Sequence, residues 1–143
     1  MKIKQLSIFL QNRMGSLSNP LEVLTVADVN IYAMCMADTS EFGILRLVVD
    51  DPVKGKKALE ENNFLVKTTE IVGVEMNDSP GSLTSVLEVI KDNLIDLEYL
   101  YAFTHSKAGK AILLLHADDI DNLISVLEEN KIPIITEEYI NNL

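Results

Sequence analysis

The feature that most limits what this 143-residue chain can fold into is an internal repeat. Asn12-Arg13-Met14-Gly15-Ser16-Leu17 recurs 66 positions on as Asp78-Ser79-Pro80-Gly81-Ser82-Leu83. The same offset carries Asn30-Ile31 to Asp96-Leu97 and Gly43 to Gly109. Leu59-Glu60-Glu61-Asn62 returns as Leu127-Glu128-Glu129-Asn130 at an offset of 68, so the second copy gains two residues in a loop. Fixed-offset similarity predicts one supersecondary unit built twice, over residues 1–69 and 70–143.

Each half reads alike. Leu6, Ile8 and Leu10, and in the second half Val72, Val74 and Met76, alternate as a strand with one face in a core. The glycine-containing turn follows. Leu17, Leu21 and Leu24, with counterparts Leu83, Leu87 and Ile90, then form one apolar stripe of a helix that must cover that strand. Two apolar runs, Ile31 to Ala37 and Ile44 to Val49, are split by Asp38-Thr39-Ser40-Glu41 as a hairpin. The second half has Leu97 to Phe103 and Ala111 to Leu115 split by Thr104-His105-Ser106-Lys107. Asp51-Pro52 signals a second helix, matched by Asp118 or Asp119 ahead of Ile120. Short strands around Val66 and Ile134 close the halves.

The predicted order is βαββαβ, twice: an α+β fold of two ferredoxin-like repeats, each an antiparallel sheet with both helices on one face. No Gly/Ser/Pro-rich linker separates them, so a rigid side-by-side joining is expected, which also removes two free strand edges. The hairpin strands are apolar on both sides, so the helix-free face is expected to meet another sheet or another chain, and a homodimer is predicted.

Composition narrows the function classes. Twelve basic against 22 acidic residues give a net charge of −10, which repels phosphate backbones and anionic lipid, so neither nucleic acid nor membrane is expected as a partner. With no signal-peptide pattern and no apolar run near the roughly 18 residues of a spanning helix, a cytoplasmic protein is expected. Cys35, the single cysteine, sits in an alternating run and reads as a buried strand residue. Neither His105 nor His116 has neighbours at metal-ligand spacing, and no cofactor is expected. Tyr99, Tyr101 and Phe103 read as packing, and the Glu60-Glu61, Glu128-Glu129 and Glu137-Glu138 pairs as solvated surface. No nucleophile with a base, or poised acid with a base, is apparent, so no catalysis is expected.

Asp78-Ser79-Pro80-Gly81-Ser82-Leu83, after a strand and opening a helix, resembles the Asp/Asn-x-Pro-Gly-x-Leu signature of ACT domains. The resemblance covers nearly the whole chain through the repeated βαββαβ order. It implies a regulatory, non-catalytic role: ACT domains bind small ligands, mostly amino acids, where two ACT units meet, and are usually attached to enzymes of amino-acid metabolism or to regulators. Carried over, the ligand-binding residues are Asn12, Arg13, Met14, Gly15, Ser16 and Leu17 with Asn30 and Ile31. In the second repeat they are Asp78, Ser79, Pro80, Gly81, Ser82 and Leu83 with Ile95 and Asp96. Met14 departs from the family's proline, and Asn19-Pro20 suggests a first helix that starts about one turn late, capped by Asn19.

The residues support that site independently. Glycine lets a ligand approach the main chain, and N–H groups at a helix start attract a carboxylate. Side-chain oxygens of Asn12, Asn30, Asp78 or Asp96 can accept from an ammonium, and the two neutral amides favour the first repeat. The blander readings are a cap for Asp78 and turn hydrogen bonds for Asn30 and Asp96. Two other functions compete: a ligand-free assembly module or regulatory subunit docking on an amino-acid biosynthetic enzyme or regulator, and a small phosphate-handling enzyme, for which Asn12-Arg13 is the only candidate cradle.

Overall fold

The computed structural model describes residues 1–11, 13–39, 41–104 and 109–143. They divide into two compact units, residues 4–69, and residues 1–3 with 70–143. In chain order the elements are β1 (Lys2–Gln11), α1 (Ser18–Val26), β2 (Ile31–Asp38), β3 (Phe42–Val49), α2 (Pro52–Glu61), β4 (Leu65–Asn77), α3 (Ser82–Asp92), β5 (Leu97–Thr104), β6 (Lys110–Ala117), α4 (Ile120–Glu129), β7 (Ile134–Ile135) and α5 (Glu137–Asn141). In the first unit β3 lies between β1 and β2, both antiparallel to it. In the second β4 lies between β6 and β7, and β6 between β4 and β5, all antiparallel. The α+β fold of two ferredoxin-like repeats therefore stands, with one change at the boundary. The strand expected around Val66 does not end there, because β4 runs 13 residues without a break. Nothing in Lys67-Thr68-Thr69-Glu70-Ile71-Val72 would stop it: there is no Gly or Pro, and four of the six residues are β-branched.

One core cluster joins Leu6, Ile8 and Leu10 to Leu45, Leu47, Leu24 and Leu59; a second joins Val72 and Val74 to Leu113, Leu115, Ile90, Leu123 and Leu127. The helical stripe is shifted from its sequence reading. Pro20 with Leu24, and Val86 with Ile90, are buried, whereas Leu17 and Leu83 are exposed. Side chains at a helix start tilt toward the N-terminus, so Leu17 and Leu83 project over the turn rather than the sheet.

Register also relocates one repeat equivalence. Leu6 pairs with Leu47 and its counterpart Val72 with Leu115, so β3 maps onto β6 at 68, not 66. β2 maps onto β5 at 66, since Ile31 pairs with Val49 and Leu97 with Ala117. The two extra residues therefore lie between Thr104 and Lys110. Gly43, inside β3, corresponds to Ala111, and not to Gly109, which has a φ of +77° just before β6.

Helix ends repeat closely. Asp51 and Asp119, 68 apart, each accept the N–H three residues on (Lys54 and Asn122, both 3.0 Å), which settles Asp119 over Asp118 as the cap. α1 to α4 all finish on a left-handed residue that is not glycine: Asp28 (φ 57°), Asn63 (66°), Leu94 (55°) and Lys131 (57°). The next residue donates to the carbonyl five before it in each case: Val29 to Leu24, Phe64 to Leu59, Ile95 to Ile90 and Ile132 to Leu127.

The helix-free faces are less bare than the sequence suggested. Gln5, Ser7 and Val48 in the first unit and Ile71, Ile112 and Leu114 in the second are buried within one chain. In the second unit α5, which the hydrophobic pattern did not reveal, reaches that face: Ile140 is buried and the Tyr139 hydroxyl donates to Glu75 Oε2. Its start is set by Thr136, whose hydroxyl accepts the Tyr139 N–H at 3.1 Å. A dimer argued from a wholly uncovered apolar face thus loses part of its premise. Gly73 fits this packing, because a Cβ there would lie 2.6 Å from Ile135 and 2.8 Å from Ile3.

Candidate functional site

The strand-to-helix turns are built alike. Ser16 N–H donates to the Arg13 carbonyl at 3.1 Å and Ser82 N–H to the Ser79 carbonyl at 3.2 Å. Each turn passes through a left-handed glycine, Gly15 at φ +81° and Gly81 at +89°, and among the described residues, chain neighbours aside, no atom lies within 4 Å of where a Cβ would stand. That space is open for a ligand to approach the main chain. The first helical bonds then leave the glycine carbonyls, from Asn19 N–H (3.2 Å) and Ser85 N–H (2.9 Å).

The turns differ in side chains. Ser79 and Ser82 hydroxyls are 2.9 Å apart, and Asp78 N–H donates to the Gly109 carbonyl at 2.8 Å. In the first turn the Ser18 hydroxyl donates to the Gly15 carbonyl at 3.1 Å, and Met14 is fully exposed. α1 starts at Ser18, two residues later than its counterpart, with Leu17 at the cap position and Asn19 inside the helix. The delay was expected; capping by Asn19 is not what forms. Asp78 does not cap α3 either, whose cap position is Gly81 with no side-chain bond. Asn12 and His105 lie outside the described residues.

Within each unit the predicted site residues fall into two separate groups. The first turn follows Gln11, which pairs with Phe42 at the start of β3, while Ile31 pairs with Val49 at its end. Seven steps of about 3.3 Å put roughly 23 Å between Asn30 and the turn of the same unit. The second repeat repeats this, with Asn77 opposite Lys110 and Leu97 opposite Ala117. Arg13, Met14, Gly15, Asn30, Asp78, Ser79, Pro80, Gly81 and Asp96 are exposed, and Ser16, Ile31, Ser82 and Ile95 half-buried.

At the far end the repeats diverge electrostatically. Asn30 N–H donates to Asp50 Oδ1 and the Asp50 N–H to the Asn30 carbonyl, both at 3.0 Å, so the first repeat places a neutral residue beside an acid. The corresponding residues are Asp96 and Asp118. The hydrogen bond that protonated Glu98 donates to Asp118, partial burial, and the charges of Asp118 and Asp96 raise the Glu98 carboxyl above its ordinary value. His116 lies against it: Nε2 is 3.1 Å from Glu98 Oε2, Nδ1 is 3.1 Å from the Glu70 carbonyl, and the ring stacks on Tyr99 with centroids 4.9 Å apart. Among the described residues no group of three or more His, Cys, Asp or Glu is arranged to hold a metal ion.

Sequence reasoning missed a concavity of about 460 Å³ on the first unit, beside the start of the turn. Phe9, Ala37, Phe42, Ile44 and Leu65 give its apolar wall, and Gln11, Asp38 and Thr39 its polar edge. Aromatic residues at ends of alternating strands, where the second repeat has Glu75 and Lys110, were the available signal.

A family model of the ACT domain pair matches residues 1–143. This chain belongs to that family. Among solved structures, a Bacteroides thetaiotaomicron protein is 37% identical with a TM-score of 0.92, covering 100% of this chain and 98% of that one. The regulatory subunits of aspartate kinase from Thermus flavus (10% identical, TM-score 0.61) and Thermus thermophilus (8%, 0.59) share the fold, each covering 88% of this ACT pair and matching 90% of its own length. No curated protein matches the sequence. Membership accounts for the duplicated turn and makes the ACT pair a regulatory family fold. No helix among the described residues is long and apolar enough to cross a membrane.

Proposed function

We propose that this ACT pair is a non-catalytic regulatory protein that senses a free amino acid, with the strand-to-helix turn of the first repeat as its main contact. The observation that carries the reading is the turn built twice with one geometry, each time with a glycine holding open the space beside the main chain. A carboxylate is suited to the N–H groups at the helix start, and an ammonium to side-chain oxygens. Because Asn30 and the turn lie at opposite ends of one unit, a ligand touching both groups needs a second ACT unit. That agrees with a shared ligand and with assembly as a homodimer, for which the edge strands β2 and β5 offer exposed Met34, Met36 and Leu100. A cytoplasmic location and an enzyme of amino-acid metabolism as the partner complete the reading; the fold shared with aspartate kinase regulatory subunits supports the latter.

A thermal-shift screen against the twenty free amino acids at millimolar concentration tests this, repeated on Asn12→Ala and Asp78→Ala. Ligand at 100 times its dissociation constant adds about 2.7 kcal/mol, several degrees of melting temperature. The expected result is a shift with one or a few amino acids, lost in Asn12→Ala. No shift with any would contradict sensing. It would favour the assembly module, a reading that the fully exposed Met14 at the turn also fits. Light scattering that returns a monomer at micromolar concentration would remove the dimer.

A further inference from the structure

We propose that the amino acid sensed by the first repeat carries a large apolar side chain, seated in the cavity walled by Phe9, Ala37, Phe42, Ile44 and Leu65. The inference rests on the amino-acid-sensing reading above and names the ligand class. The cavity's volume, about 460 Å³, lies within the roughly 300–1,000 Å³ of small-molecule sites. Its wall is apolar yet wet: Phe9, Phe42 (58% exposed) and Leu65 (69%) all hold large side chains in water. Burying that surface against an apolar group is favourable because it removes the surface from water.

Placement ties the cavity to the turn. Cross-strand neighbours Gln11 and Phe42 form one row and Phe9, Ile44 and Ala37 the next, on the helix-free face. Gln11 is the last residue of β1, and its carbonyl accepts the Arg13 N–H at 3.0 Å where the turn begins. A ligand with its side chain on these rows has its polar end beside the turn, with the Asp38 carboxylate, which lines the cavity, available to an ammonium.

The second repeat is the internal control. Its equivalent rows are Asn77 with Lys110, and Glu75 with Ile112 and Phe103. Lys110 Nζ donates to Asn77 Oδ1 at 2.8 Å, Tyr139 donates to Glu75, and Phe103 replaces the small Ala37. Where the first repeat keeps an apolar hollow, the second is charged, bridged and filled.

Titration calorimetry with leucine, phenylalanine, glycine and aspartate on the full chain tests this, alongside Phe42→Lys and Ala37→Phe, which write second-repeat residues into exposed first-repeat positions. The expected result is binding of leucine or phenylalanine at least tenfold tighter than glycine and aspartate, weakened at least tenfold by each variant while far-ultraviolet circular dichroism stays unchanged. Glycine or aspartate binding as tightly, or wild-type affinity in either variant, would overturn the ligand class and leave amino-acid sensing standing. No binding by any of the four, with no shift for any of the twenty, would overturn both.

Discussion

Residues 1–69 carry eight basic and eight acidic side chains, and residues 70–143 carry four and fourteen, so the second repeat holds all of the net charge of −10. Beneath that difference the repeats share their architecture. Turn glycines, aspartate caps on α2 and α4, left-handed helix ends and the register shift near the start of β2 and β5 recur at fixed offsets. Backbone hydrogen bonding and core burial dictate those features, and surface charge hardly touches them. Surfaces were free to diverge, and they diverged at both ends of the units: Asn30 and Asp50 correspond to Asp96 and Asp118, and Phe9 and Phe42 of the hollow to Glu75 and Lys110. Duplicated units of this kind separate what the fold needs from what each copy does.

The largest effect tests whether the cores are equivalent. Leu47 and Leu115 occupy matching positions and are both fully buried. Leu47→Ala and Leu115→Ala should each cost about 2–5 kcal/mol in urea unfolding. A loss confined to one of them would break the equivalence.

A smaller gain is expected at the helix ends. Leu94 is 93% exposed and left-handed, and Asp28 is its counterpart. Leu94→Gly should raise the urea midpoint, because relief of roughly 1–2 kcal/mol of left-handed Cβ strain exceeds the roughly 0.5–1 kcal/mol of extra chain entropy that glycine loses on folding. Asp28→Gly should gain less, because aspartate tolerates that conformation. Equal gains would show that the side chain does not matter there.

The smallest effect sharpens the electrostatic contrast. The Glu98 carboxyl is raised above its ordinary value of 4.5 in the folded state, chiefly through its hydrogen bond with Asp118. A carboxyl raised on folding stabilises while protonated, so this contribution is present at and below pH 4.5 and is lost as pH rises through the folded value. Glu98→Gln should flatten the fall of melting temperature above pH 4.5. The first repeat, with Asn30 opposite Asp50, has no counterpart carboxylate pair to contribute such a fall. An unchanged pH profile would remove the Glu98–Asp118 contact from the account.

Much of this was legible in the sequence because it is local. The repeat, the turn glycines, the Asp51 cap and the alternating strands are short-range patterns with one physical solution each. What was not legible depends on register or tertiary packing. The matching of Gly43 to Ala111 required the pairing of β3 with β1. The separation of Asn30 from the turn required strand direction as well as strand order. α5 is five residues long and is signalled only by Thr136 ahead of two glutamates, too short for a hydrophobic period. The apolar cavity draws on β1, β2, β3 and Leu65, residues far apart in sequence, so no single segment announced it.

Hydrogen–deuterium exchange tests most directly whether an amino acid is sensed by the first repeat. The full chain would be compared with and without a mixture of the twenty amino acids at millimolar concentration. Protection should appear in peptides covering residues 9–17 and 37–44 and exceed any change across residues 75–83. No protection anywhere, or protection confined to the second turn, would contradict it.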